Sequence, residues 1–314
     1  MTDQGAPEDE AGAVPAGDGD GPPPEIENPR EEVEKLVARA SPSRLVVRLL
    51  VALVGLAGGA AGAWIGREAY LERRAKGARM VHVPGATVRI GNDEGASEER
   101  PAHEVTLHAF DIDVTEVTVG AYAACTSRRR CTPPRNGDFC NWGKLGVDLH
   151  PVNCVDHEQA AAYCDWAGKR LPTEREWEYA ARGTDGRRFP WGSAPPTPAR
   201  LNVCGAECRL YGAEHGRAWP AMYEGDDGFA LTAPVGSFPA GQSPFGAEDM
   251  EGNVREWTAS PFCSYPDRSC GNEDEYVLRG AGWANHFAAN VEVTTREAIG
   301  KTEALETLGF RCAR

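Results

Sequence analysis

Cysteine is absent from the first 124 residues of this 314-residue chain, although ten follow between Cys125 and Cys312. Basic residues are scarce too: 33 Lys and Arg stand against 47 Asp and Glu, a formal charge of −14. That balance excludes a general nucleic-acid binder, which needs a basic face to displace phosphate counterions. There is no internal repeat, no Gly-rich phosphate loop and no nucleophile elbow. The 36 Gly and 23 Pro argue against long uninterrupted helices or strands. What is present is 41% apolar, enough for a packed core, on a length that allows one or two domains.

Charge divides the chain. Residues 1–40 carry 11 acids against 3 bases, whereas residues 41–79 carry 2 acids against 7 bases. Residues 1–43 read as a disordered acidic tail, because a Pro-, Gly- and Asp-rich segment cannot bury enough surface to offset its conformational entropy. Residues 44–66 read as one transmembrane helix. Its apolar run, Leu45–Ile65, matches the roughly 20 residues a bilayer core requires. Arg48 sits near one end and Trp64 and Tyr70 near the other. A secretory signal does not begin behind so long an acidic tail. Residues 67–79 form a basic juxtamembrane linker. Gly55/Gly59 and Gly58/Gly62 have the small-xxx-small spacing that permits helix pairing and a homodimer. Ten cysteines confined to the C-terminal region imply disulfides and an oxidising compartment. The expected topology is a cytoplasmic tail and a periplasmic or extracellular domain.

In residues 80–314 the pattern predicts strands over Met80–Gly91, interrupted at Pro84-Gly85, and over His103–Phe110. A helix over Thr118–Ser127 is expected. Asp156 caps a second helix carrying Ala160, Tyr163, Cys164 and Ala167 on one face, ending at Gly168. Thr173 and Glu176 form a capping box for a third, which buries Trp177, Ala180 and Ala181 and stops at Gly183. Beyond Arg188 the chain reads as short runs between Gly, Pro and Asp.

The blocks HPVNCVDHEQAAAYCDWAGKRLPTEREWEYAARG (His150–Gly183), RFPWG (Arg188–Gly192), GNVREWT (Gly252–Thr258), RGAGW (Arg279–Trp283) and GFRCAR (Gly309–Arg314) occur in this order. In them the chain resembles the formylglycine-generating enzyme, or sulfatase-modifying factor, family over essentially all of residues 80–314. The resemblance implies one α+β domain related to C-type lectins, with little regular secondary structure. It also implies a disulfide between Cys164 and Cys312. For the other eight cysteines proximity alone suggests Cys125–Cys131, Cys140–Cys154, Cys204–Cys208 and Cys263–Cys270, and other connectivities stay open. Zinc is the rival at Cys204/Cys208, although no second Cys or His pair has the usual spacing.

The resemblance further implies structural calcium at two places. One takes the Asp249 and Glu256 side chains with the Gly252 and Val254 carbonyls. The other takes the Asn202 and Asp227 side chains with the Val203 and Phe229 carbonyls. Hard oxygen donors in Gly-rich loops suit this ion.

The family's enzymes oxidise a substrate cysteine through two active-site cysteines that hold copper. Here those positions fall on Asn285 and Asn290, and the serine of the family's GGS motif falls on Gly282. A soft Cu(I) ion needs thiolates, so copper is not expected. A further family disulfide is missing at both ends, Ala181 and Thr295. The former cleft would be lined by Gly282, Trp283, Asn285, His286, Phe287 and Asn290. Two functions follow. One is a non-catalytic binding module for a peptide, glycan or protein. The other is a divergent formylglycine-generating or nonheme-iron oxidoreductase acting on a protein or thiol.

Overall fold

The structure, a computed structural model, describes Leu53, residues 77–266, Cys270, Asn272 and residues 274–314. The chain separates into residues 1–62 and 63–314. The acidic tail, the run Leu45–Ile65 apart from Leu53, and most of the basic linker lie outside the described residues. Among those described, no helix is long and apolar enough to cross a membrane.

The Pro84-Gly85 break sends the two halves of the first strand signal to different partners. β1 (Met80–Val83) pairs antiparallel with β4 (Phe110–Asp113), and β2 (Ala86–Ile90) with β3 (His103–Leu107). Gly85 is needed at the corner, since a Cβ there would lie 3.0 Å from the Ala109 nitrogen. The C-terminus closes this region: the Asp111 and Asp113 N–H groups donate to the carbonyls of Arg314 and Cys312.

All three expected helices form. α1 (Val119–Ser127) is capped by Thr118, whose hydroxyl accepts from the Ala121 N–H. α2 (His157–Trp166) starts at Asp156, whose carboxylate accepts the Gln159 N–H while the Gln159 side chain accepts the Asp156 N–H. α3 (Glu174–Arg182) has the same reciprocal box between Thr173 and Glu176, and ends at Gly183 with φ 72°. Each box satisfies two orphan donors of a first turn.

The region beyond Arg188 holds more regular structure than its sequence suggests. α4 (Ala206–Glu214) is followed by β5 (Arg255–Pro261), β6 (Glu275–Arg279), β7 (Arg296–Gly300) and β8 (Leu308–Gly309). These form a four-stranded sheet ordered β7-β6-β5-β8, antiparallel except for β5 beside β8. The largest core cluster gathers Tyr122, Tyr163, Trp257, Leu278 and Phe310 between α1, α2 and this sheet. A second packs Trp177 and Tyr179 of α3 against Ile90, Phe110 and Ile112.

All ten cysteines are paired, as Cys125–Cys131, Cys140–Cys154, Cys164–Cys312, Cys204–Cys208 and Cys263–Cys270. No free thiol remains, so Cys204 and Cys208 offer no thiolates to zinc.

Candidate functional site

β6 ends at Arg279, and residues 280–291 form the loop that carries the former cleft positions. Its backbone is held from two sides. The Trp283 N–H donates to the Asn253 carbonyl at 2.8 Å, and the Cys204 N–H donates to the Asn285 carbonyl at 3.0 Å. Asn285, at the first cysteine position, serves the backbone, since its Oδ1 accepts the Gly282 N–H at 2.9 Å and closes a turn. Asn290 is exposed in the single 3-10 turn Ala288–Val291. Phe287 is 60% exposed, and His286 rests against it with ring centroids 4.2 Å apart. Gly282 has no room for the family's serine, because a Cβ would lie 2.9 Å from the Thr307 Cβ.

Trp283 corrects the expectation of an open aromatic wall. It is 1% exposed and donates its Nε1–H to the Glu306 carbonyl at 3.1 Å. It packs with the Cys204–Cys208 disulfide beneath Phe139 and Trp219. The stapled segment leading into α4 therefore covers this face of the ring. The exposed residues of the loop are Phe287, Ala288, Ala289 and Asn290, with Ala284, Asn285 and His286 half-buried.

The loop Asp249–Glu256 lies beside it. Asp249, Gly252 and Asn253 all have left-handed φ, at 53°, 91° and 62°. A Cβ on Gly252 would lie 2.6 Å from the Asn202 carbonyl oxygen, so this loop and the Asn202 segment are in backbone contact. Asn253 joins three segments. Its N–H donates to the Asn202 carbonyl at 2.8 Å, its carbonyl receives Trp283, and its Oδ1 accepts the Ala233 N–H at 2.9 Å.

The expected calcium donors fit unequally. Asn202 is 1% exposed, and its Nδ2 donates to the Leu231 carbonyl while its Oδ1 has no partner. Such a buried bare oxygen suits a hard cation. Asp227 accepts from the N–H groups of Val203 and Phe229 and from the Tyr223 hydroxyl. Burial and the neighbouring Glu207 carboxylate push its pKa up to about 7. The two Glu207 oxygens are buried without partners. In the other loop burial pushes Asp249 up to about 6. Glu256, however, is committed: its carboxylate accepts Arg311 at 2.7 Å on each oxygen and the Trp177 Nε1–H at 2.8 Å. Among the described residues no three His, Cys, Asp or Glu side chains gather as a ready metal cluster. A cation here would take at most two carboxylates and would have to complete its shell with carbonyls, amides or water, which calcium accepts.

The sequence gives no signal for several residues that shape these loops. Glu116 and Glu251 are 2% and 3% exposed, with all four carboxylate oxygens unpartnered. Burial raises both well above the ordinary carboxylate range, helped at Glu116 by Asp249 and at Glu251 by Glu256. Only Arg311, in the GFRC block, stands out in the sequence, and its guanidinium also donates to the carbonyls of Asp113, Val114, Glu248 and Asp249. A separate cleft of about 350 Å³ lies between β3, the start of α3 and residues 260–265. None of the expected site residues lines it, and its buried acid, Glu174, is already paired with Arg279 and Arg296.

Comparison with known proteins agrees with this geometry. Residues 67–314 match the sulfatase-modifying factor enzyme 1-like domain. The bovine protein named inactive C-alpha-formylglycine-generating enzyme 2 is 32% identical over 286 residues, covering 74% of this chain and 87% of its own. The formylglycine-generating enzyme of Streptomyces coelicolor is 31% identical over 289 residues, covering 74% and 88%. The solved structure of PvdO from Pseudomonas aeruginosa superposes with a TM-score of 0.59 at 25% identity, over 76% of this chain and 95% of that one. The chain belongs to the sulfatase-modifying factor enzyme 1-like, or formylglycine-generating enzyme, family.

Proposed function

We propose that this chain is a membrane-anchored, non-catalytic member of its family, whose extracytoplasmic domain binds a peptide, glycan or partner protein. One observation carries the reading. The positions of the two catalytic cysteines hold Asn285 and Asn290, and the Asn285 amide oxygen is occupied in closing the Gly282 turn. Neither side chain is a thiolate, and the ten thiols present are consumed in disulfides elsewhere. The bovine relative's name, which calls that protein inactive, supports the same conclusion.

The ligand surface in this reading is the exposed part of the loop: the Phe287 ring for stacking, with His286 and Asn290 for hydrogen bonds. The anchor is Leu45–Ile65, with the tail cytoplasmic. Five disulfides suit the oxidising side of the membrane. Calcium acts structurally, held by Asn202 and Asp227 with the Val203 and Phe229 carbonyls, and by Asp249 with the Gly252 and Val254 carbonyls.

The test uses the purified full-length chain, Cu(I) and a sulfatase-type cysteine peptide, with an aldehyde-reactive probe as readout. No aldehyde is expected, and any catalytic aldehyde formation overturns the reading in favour of a divergent oxidoreductase. Peptide and glycan arrays then identify the ligand, with Phe287→Ala and Asn290→Ala expected to lose binding at unchanged melting temperature.

A further inference from the structure

The end of α1 carries a concentration of charge that the rest of the domain lacks. Residues 117–137 hold four arginines, Arg128, Arg129, Arg130 and Arg135, and no Asp or Glu, whereas residues 80–314 as a whole carry 34 acids against 23 bases. All four arginines are exposed. Among the described residues, Arg129, Arg130 and Arg135 have no ion pair and no side-chain hydrogen bond. Their backbone, by contrast, is fixed. The Arg129 N–H donates to the Thr126 carbonyl at 2.9 Å and the Arg130 N–H to the Cys125 carbonyl at 3.2 Å, the two bonds of a Schellman ending. Cys125–Cys131 closes that turn. The Tyr122 hydroxyl and the Gln159 amide hold Thr132 and Pro133, and the Arg135 N–H donates to the Cys154 carbonyl. Arg129 has a φ of 56°, the left-handed position after the cap that glycine usually takes. An arginine is kept there against the preference of the backbone, and such outliers gather at functional positions.

We propose that Arg128, Arg129, Arg130 and Arg135 form a binding surface for an anionic polysaccharide, one that bears sulfate or uronic-acid groups. The surface shares no residue with the loop at 280–291 and goes beyond the reading above. A guanidinium takes a sulfate or a carboxylate through two parallel hydrogen bonds. The N–H groups of Arg128, Arg129, Arg130 and Arg135 are all spent within the domain, so an extended peptide finds no main-chain ladder here. Residues 126–138 expose no large apolar side chain, so nothing in the segment enters a bilayer. A polysaccharide needs only cations held at fixed places. The stapled backbone supplies them, and binding then costs the ordering of side chains alone.

Affinity of the full-length chain in neutral detergent for a size-defined heparin oligosaccharide, measured by calorimetry over a salt series, tests this. Neutral dextran, polyglutamate and micelles carrying phosphatidylglycerol are the comparison probes. Wild type is expected to bind heparin, to ignore dextran, and to bind the other two more weakly. The double variant Arg129→Gln/Arg130→Gln should bind heparin on the order of 10-fold more weakly, with a salt slope reduced by about one per arginine. Arg129→Gly should also weaken binding yet melt no lower than wild type, because glycine adopts that φ without strain. Phe287→Ala should leave heparin binding unchanged. Undiminished affinity in the double variant overturns the inference. So does an Arg129→Gly chain that melts lower and binds as wild type, which would leave the arginine a role only at the helix end. Tighter binding of polyglutamate or of the micelles overturns it in favour of an acidic peptide or a lipid headgroup. A wild type that does not bind heparin overturns it as well and leaves the proposed function standing.

Discussion

Cys164–Cys312 joins α2 to the C-terminal segment across 148 residues, whereas Cys204–Cys208 spans only 4. All four cysteines are fully buried. Replacing either pair by Ala thus removes two sulfur atoms from equally dry surroundings, and the packing losses largely cancel when the variants are compared. What differs is the loop released in the unfolded chain. The chain-entropy relation gives about 5 kcal/mol for the long loop and about 2 kcal/mol for the short one. The shorter disulfides nested in the long loop change its length too little to matter, because the dependence is logarithmic. The expected difference between the C164A/C312A and C204A/C208A chains is therefore about 3 kcal/mol in unfolding free energy. Urea titration of the full-length protein in mild detergent, followed by tryptophan fluorescence, reads it directly. Trp177 and Trp257 are fully buried and report loss of the core. Two pairs that destabilise within about 1 kcal/mol of each other would refute the chain-entropy reasoning here and place the effect in native contacts or residual unfolded structure.

Arg311→Met should cost about 3–5 kcal/mol, because it strands the buried Glu256 carboxylate; adding Glu256→Gln should recover part of that in a double-mutant cycle by urea titration. Gly282→Ser, which restores the family's residue, should destabilise by about 1–3 kcal/mol through overpacking against Thr307 and should restore no aldehyde formation in the peptide assay. His157 donates its Nε2–H to the Thr258 carbonyl and stacks on Tyr276, and burial pushes its pKa down. A base depressed in the fold takes its proton first in the unfolded chain. Stability is thus full above the unfolded value of about 6.5 and falls as pH drops below it. Melting curves of wild type should show that decline from pH 7.5 to 5, and His157→Gln should flatten it.

The parts of the fold legible in the sequence are those whose determinants are local. Asp156 with Gln159, and Thr173 with Glu176, announce two helices within four residues, and both boxes form as read. The β5–β8 sheet has no such signature. β8 is two residues long, pairs in parallel with β5, and exists because Cys312 and Arg311 hold the C-terminus in place. α4 has no side-chain cap, starts at Gly205 and is stapled at its first turn by Cys204–Cys208. The site divides the same way. The family motifs locate Asn285 and Asn290, and the structure explains the first as a turn closure. The burial of Trp283 depends on Phe139 and Trp219, and the raised pKa of Glu116 on its burial and the Asp249 carboxylate, pairings that no local pattern encodes.

The structure also gives a physical reason why the chemistry can be lost while the fold is kept. The loop at 280–291 is fixed through backbone groups, the Trp283 N–H on Asn253 and the Asn285 carbonyl on Cys204, and through the buried Trp283 ring. None of those anchors needs a thiol at 285 or 290. The anchors of the domain, Cys164–Cys312, Arg311–Glu256 and Arg279 with Glu174 and Glu178, involve no residue of the loop. Asparagine at 285 supplies a turn-closing acceptor, which a thiol does poorly because sulfur is a weak hydrogen-bond acceptor. The same separation lets exposed positions such as Phe287 and Asn290 vary toward a ligand with little loss of stability, since surface substitutions away from such anchors usually fall within about ±0.5 kcal/mol.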